Sequence, residues 1–308
     1  MRLALVYNPN DRKLLANSYS QTYRDMFLAL QERFEKVYYV TMSCDAVDIP
    51  ADVFIFYDIH SSHDITINGL NNHKAIKYEY FNDPHQIDHD FTRNGVTVHK
   101  RGAEGRAKRA TKRDVKYIIC PCRDAFDKYI KPHGMFELVW FPVAPKSRFE
   151  TVPSLIGRQA KVLANGNLWE GTDDFKPYEF RNWVFRQPYV SYETKVAAGE
   201  MYQRWLASYA GALALCDVYV VPKYLEIPMS GCLCFAQYNQ EYEDLGFKDG
   251  EHYIRVDKNN IEKKIKDFLN NVNDYQTIAD SGRKMALNYT ADKFADYIYN
   301  HAKELICQ

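Results

Sequence analysis

Titratable side chains gather at the ends of two apolar runs in the first half of the chain. YFNDPH (80–85) offers Asp83 and His85, and DIHSSHD (58–64) offers Asp58, His60, His63 and Asp64. Each group ends a run that reads as a β-strand, the place where open α/β sheets collect ligand-handling residues. Carboxylates and imidazoles there are suited to moving a proton. The histidine spacing also suits metal ligation, and a polar loop without chemistry is the ordinary alternative for any one of them. A second cluster is cationic. Residues 93–116 carry Arg93, Lys100, Arg101, Arg106, Lys108, Arg109, Lys112, Arg113 and Lys116 against only Glu104 and Asp114. A solvated helix face accounts for such a run, and so does a surface for an anionic ligand. No aromatic residue interrupts it between 101 and 113, which disfavours a stacking platform for single-stranded nucleic acid.

The elements that must hold these residues follow a βαβ rhythm. RLALVYN (2–8), KVYYVTM (36–42), DVFIFYD (52–58), AIKYEYF (75–81), VKYIICP (115–121) and ELVWFPV (137–143) are short, β-rich and apolar. Met26, Phe27, Leu30 and Phe34 recur at helical spacing behind a Ser18 or Ser20 cap, and another helix is expected near Asp124–Ile130. PKSRFETVPSLIGR (145–158) has prolines and charge without periodicity and reads as a linker. A second half starts with the strand KVLANGN (161–167). Helices are expected at 175–186 and 199–215, a turn or helix at EIPMSG (226–231), and strands at DVYVVP (217–222), CLCFAQ (232–237) and HYIRV (252–256). Three helices close the chain, at 260–270, 273–287 and 291–305. The fold class is therefore α/β, with two Rossmann-like domains facing a cleft. Residues 1–150 form the first and 151–290 the second, and helix 291–308 crosses back to the first.

Composition bounds the alternatives. At 308 residues the chain can build two cores, and 46% hydrophobic with 26% charged residues is a globular balance. Lys+Arg and Asp+Glu are each 40, so net charge says nothing about partners. The 24 tyrosines and 17 phenylalanines suit the walls of a site for sugars or bases, and equally fill strands and core edges. Seven cysteines match no zinc pattern. The pairs Cys120/Cys122 and Cys232/Cys234 fall on single strand faces as buried thiols. The first residues read as a strand and not a signal peptide, and no run approaches a membrane span of about 18 apolar residues. A reducing cytoplasm is the expected location.

The segment YVVPKYLEIPMSGCLCFAQYNQEYEDLGFKDGEHYIRV (219–256) resembles the donor-binding region of GT-B glycosyltransferases, in particular the CgeB-like (spore maturation protein-like) branch of group 1. The pattern is a strand, Lys-aromatic-x-Glu, a small-residue turn, a hydrophobic strand and an acidic loop. The Ala-x-x-Gly-Arg of residues 279–283 continues the likeness, which covers the last hundred residues well and 161–215 loosely. It implies transfer of a sugar from a nucleotide-sugar, with UDP-glucose the expected donor by its frequency in similar enzymes, to an acceptor hydroxyl. Glu226 would accept from the ribose hydroxyls, and Lys223 would sit near the phosphates. Pro228-Met229-Ser230-Gly231 would open a helix or loop whose amides at Ser230 and Gly231 favour the diphosphate. Gly166-Asn167 would lie over the diphosphate, with Arg181 and Arg186 as further phosphate contacts. Asn239, Gln240 and Glu241 would meet the sugar. A solvated helix-start carboxylate is the plain reading of a lone Glu226, and a simple turn that of Gly166-Asn167.

The same resemblance makes Asp83 the expected base with His85 beside it. It implies no metal and no cofactor beyond the donor, since helix dipoles and basic groups stabilise the leaving diphosphate. The first strand ends in Asn-Pro-Asn and not in a glycine-rich loop, and no two-Glu motif is evident, so retention and inversion both stay open. Arg101, Arg106, Lys108 and Arg109 are the expected contacts for an anionic acceptor. The sharper alternative is glycosylation of a hydroxymethylated DNA base through segment 93–116, and the alternative of another class is a nucleotide-binding regulatory protein without turnover. A Rossmann oxidoreductase is disfavoured, because no Gly-x-Gly-x-x-Gly follows the first strand.

Overall fold

The computed structural model describes every residue except 17, 19–20, 58–64, 85–88, 94–95, 101, 167, 169–175, 195–196 and 217. It divides into two units. Unit 1 comprises Met1–Leu15, Arg24–Pro142 and Asp292–Gln308, and unit 2 comprises Ala16–Tyr23 and Val143–Ala291. The changeover lies at 142/143, some residues before the expected one, and the short stretch 16–23 belongs with the second half.

Unit 1 is built on β1 (Arg2–Val6), β2 (Lys36–Val40), β4 (Val53–Phe56), β6 (Ile76–Tyr80), β9 (Tyr117–Cys120) and β10 (Glu137–Trp140). All are parallel, in the order β10-β9-β6-β4-β1-β2. A sheet covered on both faces needs apolar side chains on both, and VFIF in β4 is buried at every position. Between strands come α1 (Thr22–Arg33), a small pair β3 (Cys44–Asp45) and β5 (Ile67–Asn68), α2 (Ala103–Lys112) and α3 (Arg123–Tyr129). The stretch read as purely basic also holds an antiparallel hairpin, β7 (His89–Arg93) with β8 (Val96–Lys100).

Unit 2 repeats the scheme with β11 (Gln159–Ala164), α4 (Glu179–Val184), β12 (Ser191–Tyr192), α5 (Met201–Leu206), β13 (Tyr209–Ala214), α6 (Lys223–Met229), β14 (Leu233–Gln237), α7 (Gln240–Asp244) and β15 (Ile254–Val256). Its parallel order is β12-β11-β13-β14-β15. Helices α8 (Ile261–Asn270), α9 (Gln276–Ala286) and α10 (Ala291–Cys307) follow. Ile261, Ile265 and Phe268 of α8 fall at helical spacing and are fully buried in the core of this unit.

Two expectations in this half fail. Residues 199–215 are not one helix. α5 stops at Leu206, and the alanine-rich YAGALA becomes the central strand β13, buried at all six positions. A Cβ on Gly211 would lie 3.1 Å from both Phe235 and Phe268. Small residues are needed where a strand is packed on both faces, and this packing overrides their helix propensity. The described part of DVYVVP is not a strand. Tyr219, Val220 and Val221 are buried in the approach to α6 instead.

The described cysteines form no disulfide, and Cys120, Cys122, Cys216, Cys232 and Cys234 are buried. Burial pushes the Cys232 thiol up to about 11, which suits an inert structural group that donates to Leu206 O. Among the described residues no helix is long and apolar enough to cross a membrane.

Candidate functional site

In unit 2 the chain leaves β11 for β12 on one side and then returns to β13 on the other. The order therefore reverses between β11 and β13, and open sheets of this kind offer a crevice at the carboxyl ends of those strands. Asn165 and Gly166 follow β11 there. Gly166 has φ 138°, a conformation that disfavours a side chain. A Cβ at that position would stand 3.5 Å from Cε of Lys223 and 3.6 Å from Nη1 of Arg181.

Both cations are held by neutral oxygens. Lys223 opens α6, and its Nζ donates to Asn165 Oδ1 at 3.0 Å and to Tyr202 OH at 2.7 Å. Arg181 of α4 is buried and directs Nε and Nη2 to the carbonyl of Leu215 at 3.1 and 2.8 Å, with its guanidinium 3.7 Å over the Tyr178 ring. Among the described residues neither is bonded to a carboxylate. Desolvation of the Lys223 ammonium brings its pKa down to about 8. The field of Glu226 opposes this shift and that of Arg181 adds to it. Among the described residues Glu226 is the one carboxylate whose field reaches Lys223, against the two cations.

Glu226 lies one turn further along α6 and is 3% exposed, with Oε1 accepting from the Thr22 hydroxyl at 2.7 Å. The next expected contacts need correction. Pro228–Gly231 do not open a helix, because α6 runs through Pro228 and ends at Met229. The Ser230 amide donates to Glu226 O and Ile227 O, and the Gly231 amide to Pro228 O at 2.8 Å. Gly231 has φ 73°, and a Cβ there would meet Arg158 Nη2 and Val152 Cγ2 at 2.6 Å. Ser230 and Gly231 thus form a helix C-terminus, whose amides are spent and whose dipole repels an anion.

Beyond β14, Asn239 is buried and caps α7 by accepting from the Tyr242 amide at 3.3 Å. Gln240 is exposed and donates to Asp244, and Glu241 is 2% exposed. Arg186 is exposed past the end of α4, and Asn167 lies outside the described residues.

In unit 1, Asp83 follows β6 with φ 49° and accepts from Asn82 Nδ2 at 2.7 Å, and Lys13 Nζ stands 3.9 Å away. A left-handed aspartate at a strand end is a local strain of the kind found at functional positions. His85, Arg101 and residues 58–64 lie outside the described residues. Among the described residues no group of three or more His, Cys, Asp or Glu could hold a metal ion.

The anionic-acceptor contacts are corrected as well. Arg106 is 3% exposed, donates to Asn82 O at 2.6 Å and Tyr80 O at 2.8 Å, and lies over Phe81. Arg109 is bonded to the fully buried Glu79 at 2.8 Å, and Arg113 reaches the other oxygen of Glu79 at 3.3 Å. Burial pushes the Glu79 carboxyl up, but the two arginines outweigh it and hold it below the ordinary range. Lys108 is exposed and pairs with Glu104 one turn away.

Three residues escaped the reading of the sequence. Asn165 stood beside the Gly-Asn turn and was legible there. Tyr202 carries no signal, being an aromatic on a helix far along the chain. Asp11, 7% exposed, follows β1 in NPND and accepts from the Lys13 amide at 2.9 Å.

No family profile matches the chain, and no curated protein matches it. Solved structures do. Sucrose-phosphate synthase from Thermosynechococcus elongatus superposes with a TM-score of 0.61 at 10% identity, covering 100% of this chain and 99% of that one. Anabaena Alr3699/HepE in complex with UDP-glucose gives 0.59 at 10% identity, over 99% and 100%. T4 phage BGT in complex with UDP and Mn2+ gives 0.58 at 11% identity, over 98% and 99%. The chain spans 59% of the GtfA/B complex chain and 57% of pneumococcal GtfA, which it also matches. The three likenesses that span the whole chain establish architecture, and with the two parallel sheets they give the chain the GT-B fold, built from two Rossmann-like units.

Proposed function

We propose that this protein is a glycosyltransferase that binds a nucleoside diphosphate sugar at the carboxyl edge of the unit 2 sheet. The carrying observation is the pair Lys223 and Arg181 flanking Gly166, two cations whose hydrogen bonds among the described residues go to neutral oxygens. The diphosphate would lie against these two cations. Glu226 takes the ribose, in a bond now made by the Thr22 hydroxyl, and Asn239–Glu241 face the sugar. The Lys223-to-Gly231 pattern favours the CgeB-like branch. The solved structures of Alr3699/HepE and T4 phage BGT are complexes with UDP-glucose and with UDP, which supports a uridine donor.

In the transfer itself, an acceptor oxygen forms a bond to the anomeric carbon as the bond from that carbon to the phosphate oxygen breaks. The nucleoside diphosphate leaves with the electron pair, next to the ammonium of Lys223. The acceptor proton passes to a carboxylate, for which Asp83 is the proposed residue. No metal is needed on this reading, since the two cations take its electrostatic role. The acceptor is a glycan or another hydroxyl compound. DNA is disfavoured, because Arg106 and Arg109 are spent inside unit 1.

Isothermal titration with UDP, GDP, ADP, CMP and TDP and their sugars tests this reading. A selective Kd in the micromolar range for one base is expected, and Glu226→Gln should weaken it by about 1–2 kcal/mol. Absence of binding by every nucleotide removes the proposal. Binding without slow release of free sugar or transfer to any acceptor favours the regulatory reading.

A further inference from the structure

A cavity of about 540 Å³ lies at the other end of the same edge, at the carboxyl ends of β14 and β15. Its walls include Phe180 and Trp183 of α4, Gln237 and Tyr238 after β14, and Arg255 and Lys258 around β15. Gln237 is two strands from β11, about 10 Å at the usual strand spacing. None of its lining residues takes part in the Lys223–Arg181 cluster.

The chemistry of this cavity differs from that of the anion site. The rings of Phe180 and Trp183 lie within 17° of parallel with centroids 6.1 Å apart. Both rings are partly buried, packed against the core, and together give the cavity an aromatic wall. Tyr238 is 43% exposed and adds a third ring. Here the cations are neutralised or lie on aromatic faces. Arg255 is ion-paired with Glu243 and sits 4.6 Å over Tyr238, and the Lys258 ammonium is 5.5 Å from the Trp183 ring. The Asp257 carboxylate is used at the start of α8, accepting from the Asn259 and Asn260 amides. What remains is a set of aromatic faces edged by the Gln237 amide and the exposed Glu179 and Lys258.

We infer that this cavity binds a neutral oligosaccharide, two consecutive pyranose rings laying their C–H faces on Trp183 and Phe180 while their hydroxyls meet Gln237, Glu179 and Lys258. A pyranose has an apolar face and a polar rim, which is the complement of this wall. A nucleotide is disfavoured here, since Arg255 is already paired with Glu243 and the exposed Glu179 and Asp257 carboxylates share the lining with Lys258. The site is distinct from the Lys223–Arg181 cluster and does not depend on the donor reading.

Saturation-transfer NMR with cellotriose, maltotriose and chitotriose, each at about 20 mM, tests the inference, alongside titration of UDP into the same samples. At least one trisaccharide should bind with a millimolar Kd, and Trp183→Ala and Tyr238→Ala should each raise it about fivefold or more with UDP affinity unchanged. Trp183 also packs on the core, so Tyr238→Ala, at an exposed ring, separates lost binding from lost folding. Silence of all three sugars, or signals that survive both substitutions, overturns the inference. Displacement of the bound sugar by UDP also overturns it, because the cavity would then belong to the nucleotide site. Failure of UDP alone to bind counts only against the donor reading.

Discussion

Arg106, Arg109 and Arg113 in unit 1 and Lys223 and Arg181 in unit 2 make opposite use of positive charge. In unit 1 the guanidinium groups are tied to Glu79 or to main-chain carbonyls, and the buried carboxylate is the reason two of them are there. In unit 2 the ammonium and guanidinium bond, among the described residues, to amide, phenol and carbonyl oxygens, and the Lys223 pKa falls to about 8. Charge density along the chain points to the first region. Charge balance in space points to the second, because a desolvated cation bonded to neutral groups is costly and gains most from an anionic ligand.

The largest effect that tests this contrast is on stability. Arg109→Met should leave Glu79 with Arg113 alone and destabilise the protein by about 3 kcal/mol, read by denaturant unfolding, with UDP affinity unchanged in the folded fraction. A neutral result would mean the arginine is not structural. Lys223→Ala should do the reverse. It should lose roughly 1.5–3 kcal/mol of UDP binding by calorimetry, about 10–150-fold, for a small change in stability. Retained affinity there would end the anion-site reading.

The pH dependence is the next test. An anion favours the protonated ammonium, so binding takes up a proton as the pH passes the free-state pKa of about 8. UDP affinity should be flat below pH 7 and fall about tenfold between pH 7 and 9. The proton uptake is measurable as a buffer-dependent binding enthalpy, and a flat profile to pH 9 would show that Lys223 stays out of the contact. Smallest is Lys108→Ala. This exposed residue pairs one turn away with Glu104, so its loss should change stability by less than about 0.5 kcal/mol and leave UDP binding alone.

The alternation of apolar β-rich runs with amphipathic helices made the two parallel sheets legible, because strand and helix periods are local properties of the chain. The expected strand centres at 2–8, 52–58, 75–81 and 232–237 all lie on observed strands. YAGALA was not legible, since alanine and leucine promote helices until burial on both faces demands small residues. Glu226 and Lys223 were found through a pattern, and the structure puts them on one helix. Ser230 and Gly231 belonged to the same pattern but end that helix, and only the direction of their amides could reveal it.

The sequence by itself determined the α/β class, the two-part organisation and the short list of polar residues at strand ends, since these follow from periodicity and residue type. Only the tertiary structure decided which cations are already neutralised, that Tyr202 and Asn165 hold Lys223, and that Thr22 reaches Glu226. The physical reason is that a charge is silent or available according to the groups within a few ångströms of it, and the fold brings those groups from distant parts of the chain.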